Sequence, residues 1–172
     1  ICIYEGIEKL MPGHYVSISL GQKRESVKPA YFWSYNDAVV RGLDQPLVGS
    51  ETAIVDALEL QLAESVGMQM LSDVPLGAFL SGGVDSSLIV ALMQKQSRRP
   101  IKTFTIGFSE AGFNEAEHAL AVSRHLGTEH TEIYIQPKDA LDVIPHLPAI
   151  YCEPFADSSQ IPTFLVSQLA KQ

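Results

Sequence analysis

The stretch "LSGGVDSS", residues 80–87, sets two adjacent glycines, an aspartate and three serines between apolar runs on both sides. Glycines let a backbone turn sharply and approach a bound group closely, because no Cβ intervenes. Ser81, Ser86 and Ser87 add hydroxyl donors. A helix starting near Asp85 to Ser87 would turn its first N–H groups and positive dipole end toward the same loop. That combination suits an anion, and phosphate above all. Asp85 conflicts with phosphate unless a cation lies between them, and Mg²⁺ bridging carboxylate and phosphate oxygens removes the conflict. The bland alternative is a serine-rich helix cap that binds nothing.

Rival motifs fail on particular residues. A Walker A loop needs GxxxxGK[ST], and here Gly77 and Gly82 are followed by Gly83 where lysine belongs. No GxGxxG dinucleotide fingerprint occurs. A GxSxG nucleophile elbow would need glycine at 79, where Phe79 stands.

The elements around the loop alternate. "PLGAFL" is a short apolar strand, "SLIVALMQKQ" a helix apolar nearly all round and so buried, and "IKTFTIGF" a second strand. "EAEHALAVSRHLG" is a second helix ending at Gly127, and "HTEIYI" a third strand. Strand and helix in alternation predict an α/β fold, a doubly wound parallel sheet with right-handed crossovers. Ligands in such sheets bind at the carboxyl ends of the strands, where the glycine loop lies. Upstream, Ser50 caps a helix with Glu51 in its first turn, and Ile54, Val55, Leu58, Leu62 and Val66 form a core-packing stripe. Residues 36–50 read as an irregular linker. "HYVSISL" alternates Val16, Ile18 and Leu20 against polar neighbours, as a half-buried strand would, and "AYFWSY" is a second strand candidate. Residues 1–35 therefore read as the tail of a larger β-rich domain, 36–50 as the linker and 51–172 as part of the α/β domain.

The resemblance to a known family rests on these segments. "SGGVDSS" matches the SGGxDS pyrophosphate loop (PP-loop) of the N-type ATP pyrophosphatases, which split ATP to AMP and pyrophosphate while adenylating a substrate. With it, "SDVPLGAFLSGGVDSSLIVALM", "TFTIGF", "FNEAEHALAVSRHLGTEHTE" and "EPFADSSQIPTFLVSQLA" closely resemble the synthetase domain of the B-type glutamine-hydrolysing asparagine synthetases. "GIEKLMPGHYV" resembles the last strands of that family's Ntn-hydrolase glutaminase domain.

The resemblance implies roles position by position. Leu80, Ser81, Gly82, Gly83, Asp85, Ser86 and Ser87 would hold ATP, with Asp85 the catalytic residue on the magnesium–pyrophosphate side. Ile106 would contact adenine through its backbone and side chain. Glu153, Asp157 and Ser158 would belong to the aspartate and intermediate pocket, although Asp157 and Ser158 could equally cap the helix running through Gln168. The implied reaction uses ATP and Mg²⁺ to convert aspartate to asparagine through β-aspartyl-AMP. Ammonia would come from glutamine in the other domain, in a cytoplasmic ligase. A homodimer of the whole protein is left open. The family's second phosphate loop, of the SGDGGDE type, is absent from these residues, so residues 1–172 alone are expected to be inactive. Two alternatives stand beside this reading: a relative acting on another carboxylate, as β-lactam synthetases and lasso-peptide cyclases do, and a non-catalytic nucleotide-binding module.

Composition agrees with the resemblance. The formal net charge of −8 argues against a nucleic-acid partner, since nothing in it suggests a basic face. The longest apolar run, Leu88 to Met93, is too short to cross a membrane. Cys2 and Cys152 lack metal-ligand spacing and fit a reducing compartment; both read as buried, Cys2 in the core and Cys152 as an inert neighbour of "EPF". Asn114 reads as the cap of the 115–126 helix. His118 and His125 share a helix face, and a surface or capping role suits them better than metal binding.

Overall fold

The computed structural model describes residues 2–23, 27–108 and 115–171, and the chain divides into two compact units, residues 1–54 and 55–172. In the first unit, β1 (His14–Tyr15) pairs antiparallel with β2 (Ala30–Tyr31). The longer strands expected from "HYVSISL" and "AYFWSY" do not form, and Ile18 and Leu20 are exposed. A turn competes with the strand: the Ser19 N–H donates to Gln22 Oε1 at 3.0 Å, and its carbonyl accepts the Gln22 N–H at 3.0 Å. Cys2 is half-buried rather than a core residue.

Residues 36–50 are not irregular throughout, because α1 (Tyr35–Asp44) covers most of them. Ser34 caps it by accepting the Asp37 N–H at 3.3 Å, which also ends the second expected strand. Asp37 and Arg41 sit at the helix ends that suit their charges. Gly42 looks like a breaker in sequence, yet a single helical glycine costs only about 1 kcal/mol.

Next comes α2 (Glu51–Gln69), capped as expected by Ser50, whose hydroxyl accepts the Ala53 N–H at 3.3 Å. The second unit then alternates β3 (Gly77–Phe79), α3 (Val84–Gln96), β4 (Lys102–Phe108), α4 (Ala116–Leu126) and β5 (Glu129–Ile135). The α5 (Pro137–Val143), α6 (Leu147–Ile150) and α7 (Gln160–Ala170) helices follow. The three strands form one parallel sheet in the order β3-β4-β5. That order grows in one direction only, so the reversal that defines a doubly wound sheet does not occur among these strands. Gly127 ends α4 as expected, in the left-handed region at φ 70° where a side chain would be strained. The Asn114 cap lies outside the described residues.

Two buried clusters hold the sheet to its helices. Val66 of α2 packs with Leu92, Met93 and Ile101, while Leu80 packs with Val90 and Ala119. α3 therefore serves both clusters, through residues on adjoining turns. Its remaining face is open, with Leu88 and Ile89 exposed, so it is not buried all round. The α2 stripe likewise packs only toward its carboxyl end, since Val55 and Leu58 are exposed. Helical spacing marks an apolar face, but only a neighbour buries it.

At the amino-terminal ends of β4 and β5, a polar group sits inside the fold. The His130 side chain is 5% exposed, and Nδ1 lies 2.9 Å from Thr103 Oγ1, itself 3.0 Å from Thr128 Oγ1. Nε2 is buried without a hydrogen bond among the described residues, 3.6 Å from Glu132 Oε1. Burial holds the imidazole below its ordinary pKa, while the Glu132 carboxylate pulls the other way and loses. Above pH about 6.5 both folded and unfolded chains are neutral here, and below it the unfolded chain takes up a proton that the folded one resists. Stability should therefore fall as pH drops from 7.5 to 5.5, and His130→Leu should shrink that fall. Urea midpoints at the two pH values check this; an equal fall in the variant would place the effect elsewhere.

Candidate functional site

The glycine loop runs from the end of β3 into α3, and its serines bond mostly to the loop itself. Ser87 Oγ donates to the Gly83 carbonyl at 2.7 Å, and Ser86 Oγ does so at 3.3 Å. Ser86 Oγ also accepts the Ser81 N–H at 3.2 Å and lies 2.9 Å from Ser81 Oγ, which accepts the Gly83 N–H at 3.2 Å. The hydroxyls expected to face a ligand thus brace the loop. What remains for an anion is backbone: the Ser87 N–H makes the first helical bond, to Gly83 at 3.1 Å, leaving Val84, Asp85 and Ser86 without intrahelical acceptors. Asp85 is exposed in this first turn and has no partner among the described residues. A free carboxylate beside free N–H groups fits a cation-bridged phosphate better than phosphate alone.

Gly82 explains why the loop needs glycine. Its φ is 77°, and a Cβ there would lie 2.7 Å from both the Ala119 nitrogen and His118 Cβ. The loop is pressed against the first turn of α4, so a side chain fails both on backbone conformation and on space. Gly83, with φ −71°, is under neither constraint. A Cβ there would meet only Ser81 Oγ at 3.3 Å.

A cleft of about 350 Å³ opens beside the loop, at the carboxyl ends of β3 and β4. Phe79, Leu80, Phe104, Ile106 and Phe108 give it apolar walls, and Ser81, Thr105 and Glu115 give it polar groups. Ser159, Pro162, Thr163 and Val166 close one side, from α7 and the residue just before it. The volume is that of a small-molecule site. The structure thus brings Leu80, Ser81 and Ile106 together. Leu80 is a wall and not a donor: it is 1% exposed, its N–H donates to the Phe104 carbonyl at 2.9 Å, and its own carbonyl accepts the Thr105 hydroxyl.

Glu153, Asp157 and Ser158 do not line the cleft. Asp157 Oδ1 accepts the Ser159 N–H at 2.8 Å and the Asp157 carbonyl accepts the Gln160 N–H at 3.2 Å, so the residue shapes the turn into α7. Hydrogen bonds from the Ser159 backbone and side chain hold its carboxyl below the ordinary carboxylate range. Cys152 is exposed, not buried, because the chain bends there after α6. His118 and His125 are exposed on α4, and the described residues contain no metal-binding cluster.

The wall from α7 was missed in sequence, although Ser159, Pro162, Thr163 and Val166 follow helical spacing. Phe104 and Phe108 follow from Ile106 by strand alternation. Glu115 carries no such signal.

A family model described as asparagine synthase matches residues 57–172, well over half of the chain. The chain belongs to the asparagine synthase family. Glutamine-hydrolyzing asparagine synthetase 1 of Bacillus subtilis is 35% identical over 128 residues, 74% of this chain and 20% of that protein. A Methanocaldococcus jannaschii protein, provisionally named glutamine-hydrolyzing asparagine synthetase 2, is 35% identical over 151 residues, 87% of this chain and 28% of its own length. Amidase chyE of Penicillium rubens is 29% identical over 140 residues, 73% of this chain and 20% of that protein. The chain therefore spans between a fifth and under a third of these relatives. No described helix is long and apolar enough to cross a membrane.

The glycine geometry separates two substitutions in this family loop. Gly82→Ala should lose about 2 kcal/mol or more, from a left-handed alanine pressed into α4. Gly83→Ala should lose less than about 1 kcal/mol, because only a serine hydroxyl must shift. Urea denaturation of both variants checks the order; equal losses would remove the α4 contact as the reason for Gly82.

Proposed function

We propose that the full-length protein carrying this chain makes asparagine from aspartate with ATP. The observation that carries the reading is the cleft meeting the loop at Leu80 and Ser81, in a chain of the asparagine synthase family. The apolar cleft takes the adenosine end, with Ile106 against the base. The phosphates lie along the loop toward the free N–H groups of Val84, Asp85 and Ser86, with Gly82 and Gly83 allowing close approach. Asp85 is the residue to hold Mg²⁺, which when bound neutralises pyrophosphate charge. Glu153 and Ser158 remain assigned to the aspartate side; Asp157 acts there through the turn it shapes.

The chemistry balances without covalent help from the protein. The β-carboxylate oxygen of aspartate bonds to the α-phosphorus, and the bond to the β-phosphate oxygen breaks, releasing pyrophosphate. Ammonia then bonds to the β-acyl carbon, loses a proton, and AMP departs with the electron pair. Fixed placement of the two reactants and a preorganised loop supply the acceleration. The ammonia comes from glutamine, as the names of the bacterial and archaeal relatives suggest.

A second reading has a specific observation in its favour. A relative named as an amidase, chyE, is 29% identical over 140 residues, and in that reading the same loop and cleft serve another carboxylate or amine.

Full-length protein given ATP, Mg²⁺, aspartate and ammonium should release AMP and asparagine in equal amounts. ADP as product would overturn the reading; AMP with another acid, and none with aspartate, would favour the second. Asp85→Asn should leave the fold intact and lower pyrophosphate exchange into ATP by about 10²-fold or more. Exchange near the wild-type rate would remove Asp85 from the site.

A further inference from the structure

β3 stops pairing in an unusual way. In a parallel ladder, a residue bonded to the neighbouring strand uses both its N–H and its carbonyl. The Leu80 N–H donates to the Phe104 carbonyl at 2.9 Å, and Phe79 is registered with Phe104, so residue 80 stands opposite Thr105. The next rung should run from the Ile106 N–H to the Leu80 carbonyl. Instead that carbonyl accepts the Thr105 hydroxyl.

The direction of the Ile106 peptide follows from the alternation of β4. The Ile101 carbonyl accepts the Glu129 N–H at 2.9 Å, on the β5 side, while the Phe104 carbonyl faces β3. Odd-numbered residues of β4 therefore bond toward β5 and even-numbered ones toward β3. The N–H and carbonyl of Ile106 point into the space that β3 leaves after Phe79, along the cleft lined by Leu80, Ser81 and Phe108. Thr105 itself is 3% exposed in the central strand, where an aliphatic residue would ordinarily sit. A buried hydroxyl is tolerated there because it has an acceptor.

We propose that Thr105 is a positioning residue: its hydroxyl takes the Leu80 carbonyl from the ladder and keeps the Ile106 peptide edge open to a ligand with a planar donor–acceptor edge, such as a purine base. This rests on the nucleotide reading above for the ligand, but not for the geometry. Without the hydroxyl, the donor that the ladder pattern offers the Leu80 carbonyl is the Ile106 N–H, so β3 zips one rung further and the edge is lost to the sheet.

The test uses the full-length protein, with Thr105→Val as the near-isosteric deletion and Thr105→Ser as the variant that keeps the hydroxyl. Without ligand, the Ile106 amide should exchange with solvent at least tenfold more slowly in Thr105→Val than in the wild type, and Thr105→Ser should match the wild type. Thr105→Val should also raise KM for ATP about tenfold with kcat within about twofold, and Thr105→Ser should restore KM. A strongly protected Ile106 amide in the ligand-free wild type would overturn the proposal, whether or not the valine variant folds. Unchanged exchange in Thr105→Val, or a serine variant as impaired as the valine one, would also overturn it. Failure of the wild type to bind ATP would instead sink the nucleotide reading, and the exchange comparison would still decide the role of Thr105.

Discussion

A parallel strand that leaves its sheet must do something with the last residue it pairs, and here Leu80 is secured through all three of its groups. Its N–H is held by Phe104, its carbonyl by the Thr105 hydroxyl, and its side chain by Val90 and Ala119 in a buried cluster. The residue before it ends β3, and the residue after it begins the exposed glycine loop. The cleft, the loop and the start of α3 all take their position from this handover. An orphan carbonyl at a buried strand end would cost about 1–3 kcal/mol, so the threonine that satisfies it also decides how far the ladder runs.

The loop itself is stiffened from two sides. Ser81, Ser86 and Ser87 tie it to Gly83 and to one another, and Gly82 lies against α4 with no room for a side chain. A loop held this way has less conformational freedom left to lose when a ligand binds. The donors it presents are peptide N–H groups fixed by helix geometry. The acidic chain, at net charge −8, attracts no anion by its overall field, so such local donors and a bridging cation must supply the attraction.

α7 completes the cleft from far along the chain. Pro162 sits early in that helix, where its missing N–H leaves no bond unmade, and Thr163 and Val166 share its cleft-facing side. Asp157 and Gln160 set the turn that aims the helix, the first through the Ser159 N–H and the second through a 2.8 Å bond to the Phe155 carbonyl. The segment "EPFADSS" thus contributes to the cleft through its serine at 159 and through the path it gives the chain.

Local signals in the sequence determined a good deal. Alternating strand and helix patterns with Gly127 as a stop located β3, α3, β4, α4 and β5, because periodicity and capping act over a few neighbouring residues. The glycine-serine stretch named the loop, since only such residues allow that backbone and those bonds. Other features needed partners distant in the chain. Whether Val55, Leu58 and Leu88 are buried depends on what packs over them, and they are exposed. "HYVSISL" alternates like a strand, yet a turn through Gln22 claims Ser19. Residues 36–50 read as an irregular linker, yet Ser34 caps a helix that runs across most of them and tolerates Gly42. The cleft was the least legible. It joins β3, β4 and α7, and the decisive bond between Thr105 and Leu80 spans 25 residues. Sequence shows which residues can donate and accept; only the folded chain brings a particular donor to a particular acceptor.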